Sequence, residues 1–390
     1  MKNSHIIKQS DNHNNFMHRP IRVMHIVDKL SVSGSGIHGV TRVIERWITH
    51  FDPQQFQFCV CSLRSPEASG EIFEKRGIHI YFLSKGKFDP TTLISLLKLI
   101  KQEKPNILHL HGYGSTNFGR LASWLTGVPN IVHEHAILPN QPLYQTIVDA
   151  LLSSLTTKAI AVSNPVREFM LSTRKIQLQK LETIIIGLPL AEFQTPNLGK
   201  VEKIRQELGI SLTEKVIVAL GRLDTVKGQI YLLRAAISIL KKLPRSRFLI
   251  VGDGPDMLML QAYAKKEGIE KQVIFVGFQQ DISVFFALAD VVAIPSLNEG
   301  GPLTLFEAMI FRKPVVGTTV GLMPEVIREG ETGFLVPCKN PDLLAKKITD
   351  ILINPNLAQS MGEKAWKVCQ NYDISKSVER LTEIYQELVY

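Results

Sequence analysis

No run of about 18 consecutive apolar residues occurs in this chain of 390, so no segment is expected to cross a membrane as a helix. Cysteine is scarce: Cys59, Cys61, Cys338 and Cys369 are too few and too irregularly spaced for a disulfide framework or a zinc site. Cys59 and Cys61 alternate within a strand-like run, which suits buried thiols in a reducing compartment. No block of five or six like charges and no basic-aromatic motif is present, which sets nucleic-acid binding aside. The H-E-x-x-H, G-x-S-x-G and Walker lysine patterns are missing too. Residues 1–19 lack the apolar core of a secretory signal. They are polar and rich in His and Asn, and read as a disordered extension of a cytoplasmic protein.

What is there is a globular composition, 45% hydrophobic and 21% charged, with a net charge of +9 spread along the chain. The length implies two domains, because single cores rarely grow past roughly 250–300 residues. Strand-like runs at 21–27, 56–63, 78–83, 107–110, 130–133, 159–162 and 183–186 alternate with amphipathic stretches such as 41–50, 91–102 and 142–155. A second series, 216–220, 248–251, 273–276, 291–294, 314–318 and 333–336, follows a polar stretch at 194–203. Alternation of this kind builds parallel sheets from βαβ units, and two series predict an α/β protein of two doubly wound, Rossmann-like domains facing a cleft. The expected division is a disordered extension at 1–19, a first, acceptor-side domain at 20–195, a second, nucleotide-sugar-binding domain at 196–372 and a helix at 373–390 that packs across the domains. Val378, Leu381, Ile384, Tyr385 and Leu388 form that helix's apolar seam.

The stretch 295–309 carries the most chemistry. After the apolar run ending at Ile294, Glu299 lies in a loop, Gly300, Gly301 and Pro302 follow, and a helix begins with Leu303 and Thr304. Glycines admit a ligand close to the backbone, and a helix start offers unpaired N–H groups to an anion. Glu307, eight positions after Glu299, lies within reach of hydroxyls on whatever carries that anion. Arg222 and Lys227, five apart after the strand ending at Leu220, suit a diphosphate: a planar fork and a movable point charge. His109, His111, His133 and His135 end two strands of the first series, each pair on one strand face. Without cysteines or metal-ligand spacing nearby, no metal site is expected.

Two glycine patterns compete. Gly34-Ser35-Gly36-Ile37-His38-Gly39 matches G-x-G-x-x-G, but six residues separate it from the preceding strand and no acidic residue follows at the ribose position. Gly252-Asp253-Gly254 follows a strand directly and lacks the third glycine. A nicotinamide-dependent oxidoreductase is therefore disfavoured, while both loops still bring N–H groups near a phosphate or sugar.

From about residue 22 to 385, the ordered motifs resemble the retaining nucleotide-sugar glycosyltransferases of family four, whose architecture is called GT-B. The residues carrying the likeness are Gly221-Arg222-Leu223, Lys227-Gly228, the 248–255 turn, Phe275-Val276-Gly277-Phe278, Glu299 to Glu307, and 315–336. The resemblance implies transfer of a hexose from a nucleoside diphosphate to a glycan or lipid-linked glycan acceptor; with no metal-binding carboxylate motif present, the cations are expected to stand in for Mg²⁺ and no cofactor is expected. It places Arg222 and Lys227 on the diphosphate, Glu299 and His135 beside the donor sugar, with His133 as the fallback. Glu307 falls on the ribose side, and Gly252 and Phe278 on the nucleobase side. Gly39 resembles the end of the family's first glycine-rich loop. Two departures stand out: Ile186-Gly187-Leu188-Pro189 keeps only the glycine of the usual Asn-Gly-x-Asp, and Gly301 replaces a larger residue beside the sugar. A non-catalytic sugar-nucleotide-binding protein of the same fold is the rival reading.

The acceptor side is less legible. Leu93, Ile94, Leu96, Leu97 and Ile100, with Lys98, Lys101 and Lys104, fit a crossover helix on the first sheet, or else an interfacial membrane helix. With the positive net charge, the latter would give peripheral contact with an anionic membrane on its inner face.

Overall fold

In the computed structural model, described for residues 19–32, 36–37, 39–138, 141–193 and 196–390, two parallel sheets stand side by side. The extension expected at 1–19 lies, but for Arg19, outside these residues, as do Gly34, Ser35 and His38 of the first glycine pattern. The first sheet is built from β1 (Ile21–Val27), β2 (Phe56–Ser62), β3 (His79–Phe82), β4 (Ile107–His111), β5 (Asn130–Glu134), β6 (Lys158–Ala161) and β7 (Leu181–Thr183). Its spatial order is β3-β2-β1-β4-β5-β6-β7. The second is built from β8 (Lys215–Leu220), β9 (Ser246–Val251), β10 (Val273–Gly277), β11 (Val291–Ile294), β12 (Val315–Thr318) and β13 (Gly333–Val336), in the order β10-β9-β8-β11-β12-β13. All inter-strand pairs in both sheets are parallel.

The central strands are apolar at nearly every position because helices cover both faces. Each sheet therefore has a point, β1/β4 and β8/β11, where successive connections leave in opposite directions. At that point a crevice opens beyond the strand C-terminal ends. Four further helices matter for the cleft: α1 (Gly39–His50), α2 (Thr91–Glu103), α3 (Tyr113–Thr126) and α4 (Leu143–Leu152). Helix α2 buries Leu96, Leu99 and Ile100 against the first sheet, which is the crossover role. Helix α5 (Leu303–Ile310) follows the Glu299 loop.

The chain returns to the first domain at its end. Helix α6 (Ile374–Val389) starts from Asp373, whose side chain accepts from Ser375 N. It places Val378, Leu381, Ile384 and Tyr385 in the first-domain core, so the seam expected to pack across the domains belongs to one of them. The reason is a set of specific anchors there: Trp47 Nε1 donates to Ser377 Oγ at 3.2 Å, and the Arg380 guanidinium pairs with Glu182. The outgoing and returning chains run together where Leu188 N donates to Tyr372 O and Ile374 N to Leu188 O. Gly187 sits in this crossing, where an added Cβ would come within 2.6 Å of the Tyr372 carbonyl oxygen. Among the described residues, no helix is long and apolar enough to cross a membrane.

Candidate active site

Strand β8 ends at Leu220 and delivers the loop from Gly221 to Gly228 to the crevice. Asp224 organises it: one carboxylate oxygen accepts from Lys227 N at 3.1 Å, and the other lies 2.8 Å from Arg222 Nε. Gly228, with φ of +67°, presses so closely on the neighbouring loop that a Cβ would lie 2.1 Å from Pro295 O. That contact and the Leu297 N to Val226 O bond of 2.7 Å seat the β8 loop on the β11 loop. As a result Lys227 Nζ reaches Glu299 Oε1 at 2.7 Å, and the Ser296 hydroxyl donates to the same oxygen at 2.7 Å. A small pocket between them is lined by Lys227, Ser296, Glu299, Pro302 and Thr304. The half-exposed Arg222 guanidinium pairs with Asp224 in the same β8 loop. A larger cavity opens elsewhere, at the strand starts near Arg22, Phe56 and His79, away from the cleft.

The other expected residues of this wall fall around that pocket. Pro302 caps α5, and its first N–H groups, those of Leu303 and Thr304, have no carbonyl one turn earlier to bond. Gly252 follows β9 and donates its N–H to Gly277 O at 2.9 Å, so Gly252 and the half-exposed Phe278 mark adjacent strand ends. Glu307 departs from the expected picture. It is nearly buried and faces the first domain, with Arg46 NH2 3.9 Å from its carboxylate. Burial pushes its pKa up, and the Arg46 and Arg42 charges pull against that rise. Arg42 and Arg46 were missed by the sequence reading. Their signal was a pair of cations four apart on a helix that opens at Gly39.

The first-domain wall is a layer of imidazoles. In register, His25 of β1 lies beside His109 of β4, and His111 beside His133 of β5, so all project from one sheet face, with His135 just beyond β5. His111 connects His25 Nδ1 to His135 Nε2 by two N···N contacts of 2.9 Å. His109 connects the Tyr385 hydroxyl, at 2.7 Å, to His133 Nδ1, at 3.0 Å. The rings stack at centroid distances of 4.4–5.5 Å, and Trp47 lies over His133 at 5.1 Å. Burial pushes His25 down to about 3 and holds His109, His111 and His133 well below the ordinary imidazole range. His25, His109, His111 and His133 are therefore neutral near pH 7, and a neutral imidazole offers one donor and one acceptor. Three of the layer's nitrogens can converge within 4.8 Å in two ways, around His25, His109 and His111 or around His111, His133 and His135. These two groupings are candidate metal-ligand sets that the sequence spacing did not indicate. The sequence reading missed His25, one imidazole in a mostly apolar strand, because its partners arrive only through sheet register.

The two walls touch. Gly300 lies so close to the strand end after β5 that a Cβ would be 1.9 Å from His135 O. The Asn298 amide donates to Ile137 O, and Asn164 N donates to the Glu325 carboxylate at 2.9 Å. The fallback His133 is buried beneath His135 and bonds inward to His109, which leaves His135, partly buried, as the imidazole nearer the second domain.

Comparison with known proteins agrees in sequence and in fold. The model for glycosyl transferases group 1 matches residues 200–368, and that for glycosyltransferase family 4 matches residues 37–191. The chain is 27% identical over 311 residues to the UDP-Gal:alpha-D-GlcNAc-diphosphoundecaprenol alpha-1,3-galactosyltransferase of Escherichia coli, covering 77% of this chain and 80% of that one. It is 30% identical over 216 residues to the D-inositol 3-phosphate glycosyltransferase of Corynebacterium efficiens, covering 53% and 51%. In fold it resembles HepE of Anabaena, solved in complex with UDP, with a TM-score of 0.83 at 19% identity over 94% of this chain and 100% of that one.

Proposed function

The chain belongs to the group 1 and family 4 glycosyltransferases of GT-B fold, and from that membership we propose transfer of a hexose from a nucleoside-diphosphate sugar to a hydroxyl, with retention at the anomeric carbon. The observation that carries this reading is the Lys227–Glu299 pair at the mouth of the β8/β11 crevice, beside Arg222 and the start of α5. An entering diphosphate replaces Glu299 as the partner of Lys227, and Arg222 turns from Asp224 to a second phosphate oxygen. The freed Glu299 accepts hydrogen bonds from the sugar hydroxyls, and His135 contributes a hydrogen-bonding imidazole from the opposite wall. Glu307 takes the ribose hydroxyls, exchanging its long contact with Arg46 for direct hydrogen bonds.

The bond from the anomeric carbon to the diphosphate oxygen breaks as the acceptor oxygen approaches from the same face. The acceptor's proton passes to the departing phosphate, so no protein nucleophile is assigned. Negative charge grows on the leaving group, and cations fixed in a crevice stabilise it more than mobile water can. Arg222, Lys227 and the helix start do the work a divalent ion does in other transferases, so chelation by EDTA leaves the rate unchanged. The acceptor is a glycan or lipid-linked glycan: the Escherichia coli relative is named for GlcNAc-diphosphoundecaprenol. The donor's nucleotide is UDP, the ligand in the HepE complex. Work at the inner face of a membrane follows from such an acceptor.

Thermal-shift screening of UDP-, GDP- and ADP-sugars, followed by mass spectrometry and anomeric NMR of products on a diphosphoundecaprenol acceptor, tests the proposal. A UDP-sugar is expected to stabilise the protein and to give an α-linked product. Stabilisation without transfer or donor hydrolysis would favour the non-catalytic binding protein, and an inverted product would overturn retention.

A further inference from the structure

Helix α4 is inside out. Its polar residues Gln145 and Asp149 are buried, Asp149 completely, whereas Leu143 is 75% and Leu151 71% exposed, with Ile147 between them. The inversion has a local cause. Asp149 accepts from Arg120 at 3.1 Å and pairs with Arg174, which also holds Glu134 at 2.8 Å, so the helix is anchored by its charge and its apolar stripe must face outward.

The stripe continues on neighbouring elements. Helix α3 runs beside α4, joined to it through Tyr113–Gln145 and Arg120–Asp149, and ends in the exposed Trp124 and Leu125. The exposed Phe88 ring meets Tyr144 edge-on at 6.2 Å. Between residues 105 and 157 the only ionisable acids and bases besides histidine and tyrosine are Arg120, Glu134 and Asp149, and all three belong to the buried network. This face therefore carries no charge of its own. Its border is the opposite: residues 84–104 hold five lysines, Lys85, Lys87, Lys98, Lys101 and Lys104, against Asp89 and Glu103. Helix α2, which carries Lys98 and Lys101, packs beside α3 in the same layer.

We propose that the outer face of α3 and α4, with Phe88, is a membrane-docking surface that inserts into the interface of an anionic bilayer while the lysine border holds the headgroups. The chemistry selects this occupant. A charge-free apolar stripe with Trp and Tyr at its margins suits the depth of the headgroup boundary. Lysines beside it attract anionic lipid, and the net charge of +9 has the same sign. The inference deepens the lipid-linked acceptor proposed above and rests on that reading for its purpose, because α4 is tied through Asp149, Arg174 and Glu134 to the residue preceding His135. Membrane contact thus falls on α4 and α3, and α2, whose Leu96, Leu99 and Ile100 are buried against the first sheet, supplies the cationic edge.

Flotation of the full chain with phosphatidylglycerol and phosphatidylcholine vesicles tests it, with stabilisation by a UDP-sugar measured on the same samples. The wild type is expected to float with the anionic vesicles and to release as salt rises. The double variant Ile147→Glu, Leu151→Glu should bind at least about tenfold more weakly, and Lys85→Glu with Lys87→Glu should lose the salt dependence, each with nucleotide stabilisation intact. If the wild type stays down with both vesicle types, or the double variant floats equally well, the surface is not a membrane site. A concentration-dependent dimer abolished by Ile147→Glu, with no flotation, would assign the face to a second copy of the chain instead. Loss of nucleotide stabilisation in the wild type would instead count against the donor site and leave the flotation result standing.

Discussion

Each sheet follows the same winding about a central switch point, yet the two present different chemistry to the cleft. The second domain offers Arg222, Lys227, Glu299 and a helix start. The first offers neutral imidazoles, and all eleven histidines of the chain lie before residue 136. The difference matches what each wall meets in the proposed reaction. A diphosphate needs fixed positive charge, whereas a sugar's hydroxyls need uncharged groups that both donate and accept.

The largest test of this contrast is acid. Because burial depresses the folded pKa of His25, His109, His111 and His133, the unfolded chain binds protons that the folded chain does not. The stability they contribute is present above the unfolded value near 6.5 and is lost as pH falls below it. Each contributes about 1.4 kcal/mol per pH unit there, so four together approach about 5.5 kcal/mol per unit. Hydrogen exchange near pH 5.5 should therefore show β1, β4 and β5 opening before β8 and β11. Simultaneous loss of protection in both sheets would mean the imidazole layer is not the weak point.

Next comes the charged wall. Removing one charged hydrogen bond costs about 1.5–3 kcal/mol, so Lys227→Ala and Arg222→Ala should each slow transfer by roughly ten- to over a hundredfold. His135→Asn, which keeps a hydrogen-bonding side chain, should cost less than either. If the histidine variant is the more damaged, the charge carrying the reaction sits on the first domain and the contrast between walls fails.

What the sequence reveals follows the range of the interaction. The strands of the two parallel sheets were legible because most are short apolar-rich runs between helical stretches, and the 181–183 strand was displaced because its apolar neighbours Ile184–Ile186 continue past the last ladder bond. Lys227 and Glu299 were legible because each lies in a compact strand-end loop. His25 was not, since one imidazole in an apolar strand acquires meaning only beside His109 and His111. Helix α4 was legible as amphipathic, but which face turns inward is decided by Arg120 and Arg174, one on another helix and the other beyond the next strand. Arg42 and Arg46 gain their partner only when the two domains meet.

Glu307 sharpens that last point. Its raised folded pKa means the empty protein loses stability as pH climbs from about 4.5 through the folded value, a loss that glutamine does not share. Near neutral pH, Glu307→Gln should therefore melt at or above the wild type without ligand. It should also weaken nucleotide affinity by about five- to tenfold, one hydrogen bond's worth. A lower melting temperature in the empty variant would show that Arg42 and Arg46 outweigh burial.

The smallest expected effects separate two adjacent glycines. At Gly300 a methyl group would collide with the His135 carbonyl oxygen, a backbone atom of the other domain, so Gly300→Ala must part the walls or shift a loop. Gly301 is different. An added Cβ would meet Leu322 at 3.7 Å and Val162 at 3.9 Å, which is ordinary contact, and its φ is not in the left-handed range. Gly301→Ala should thus change stability by less than about 0.5 kcal/mol. The open space beside it lies where the donor sugar is proposed to sit, so any effect should appear as a change in the ratio of kcat/KM between two donor sugars, with melting temperature unmoved. A methyl group in a sugar pocket discriminates by about ten- to a few hundredfold at most. Equal activity of glycine and alanine toward every donor would place the sugar away from this turn, and the walls would then meet at Gly300 for structural reasons alone.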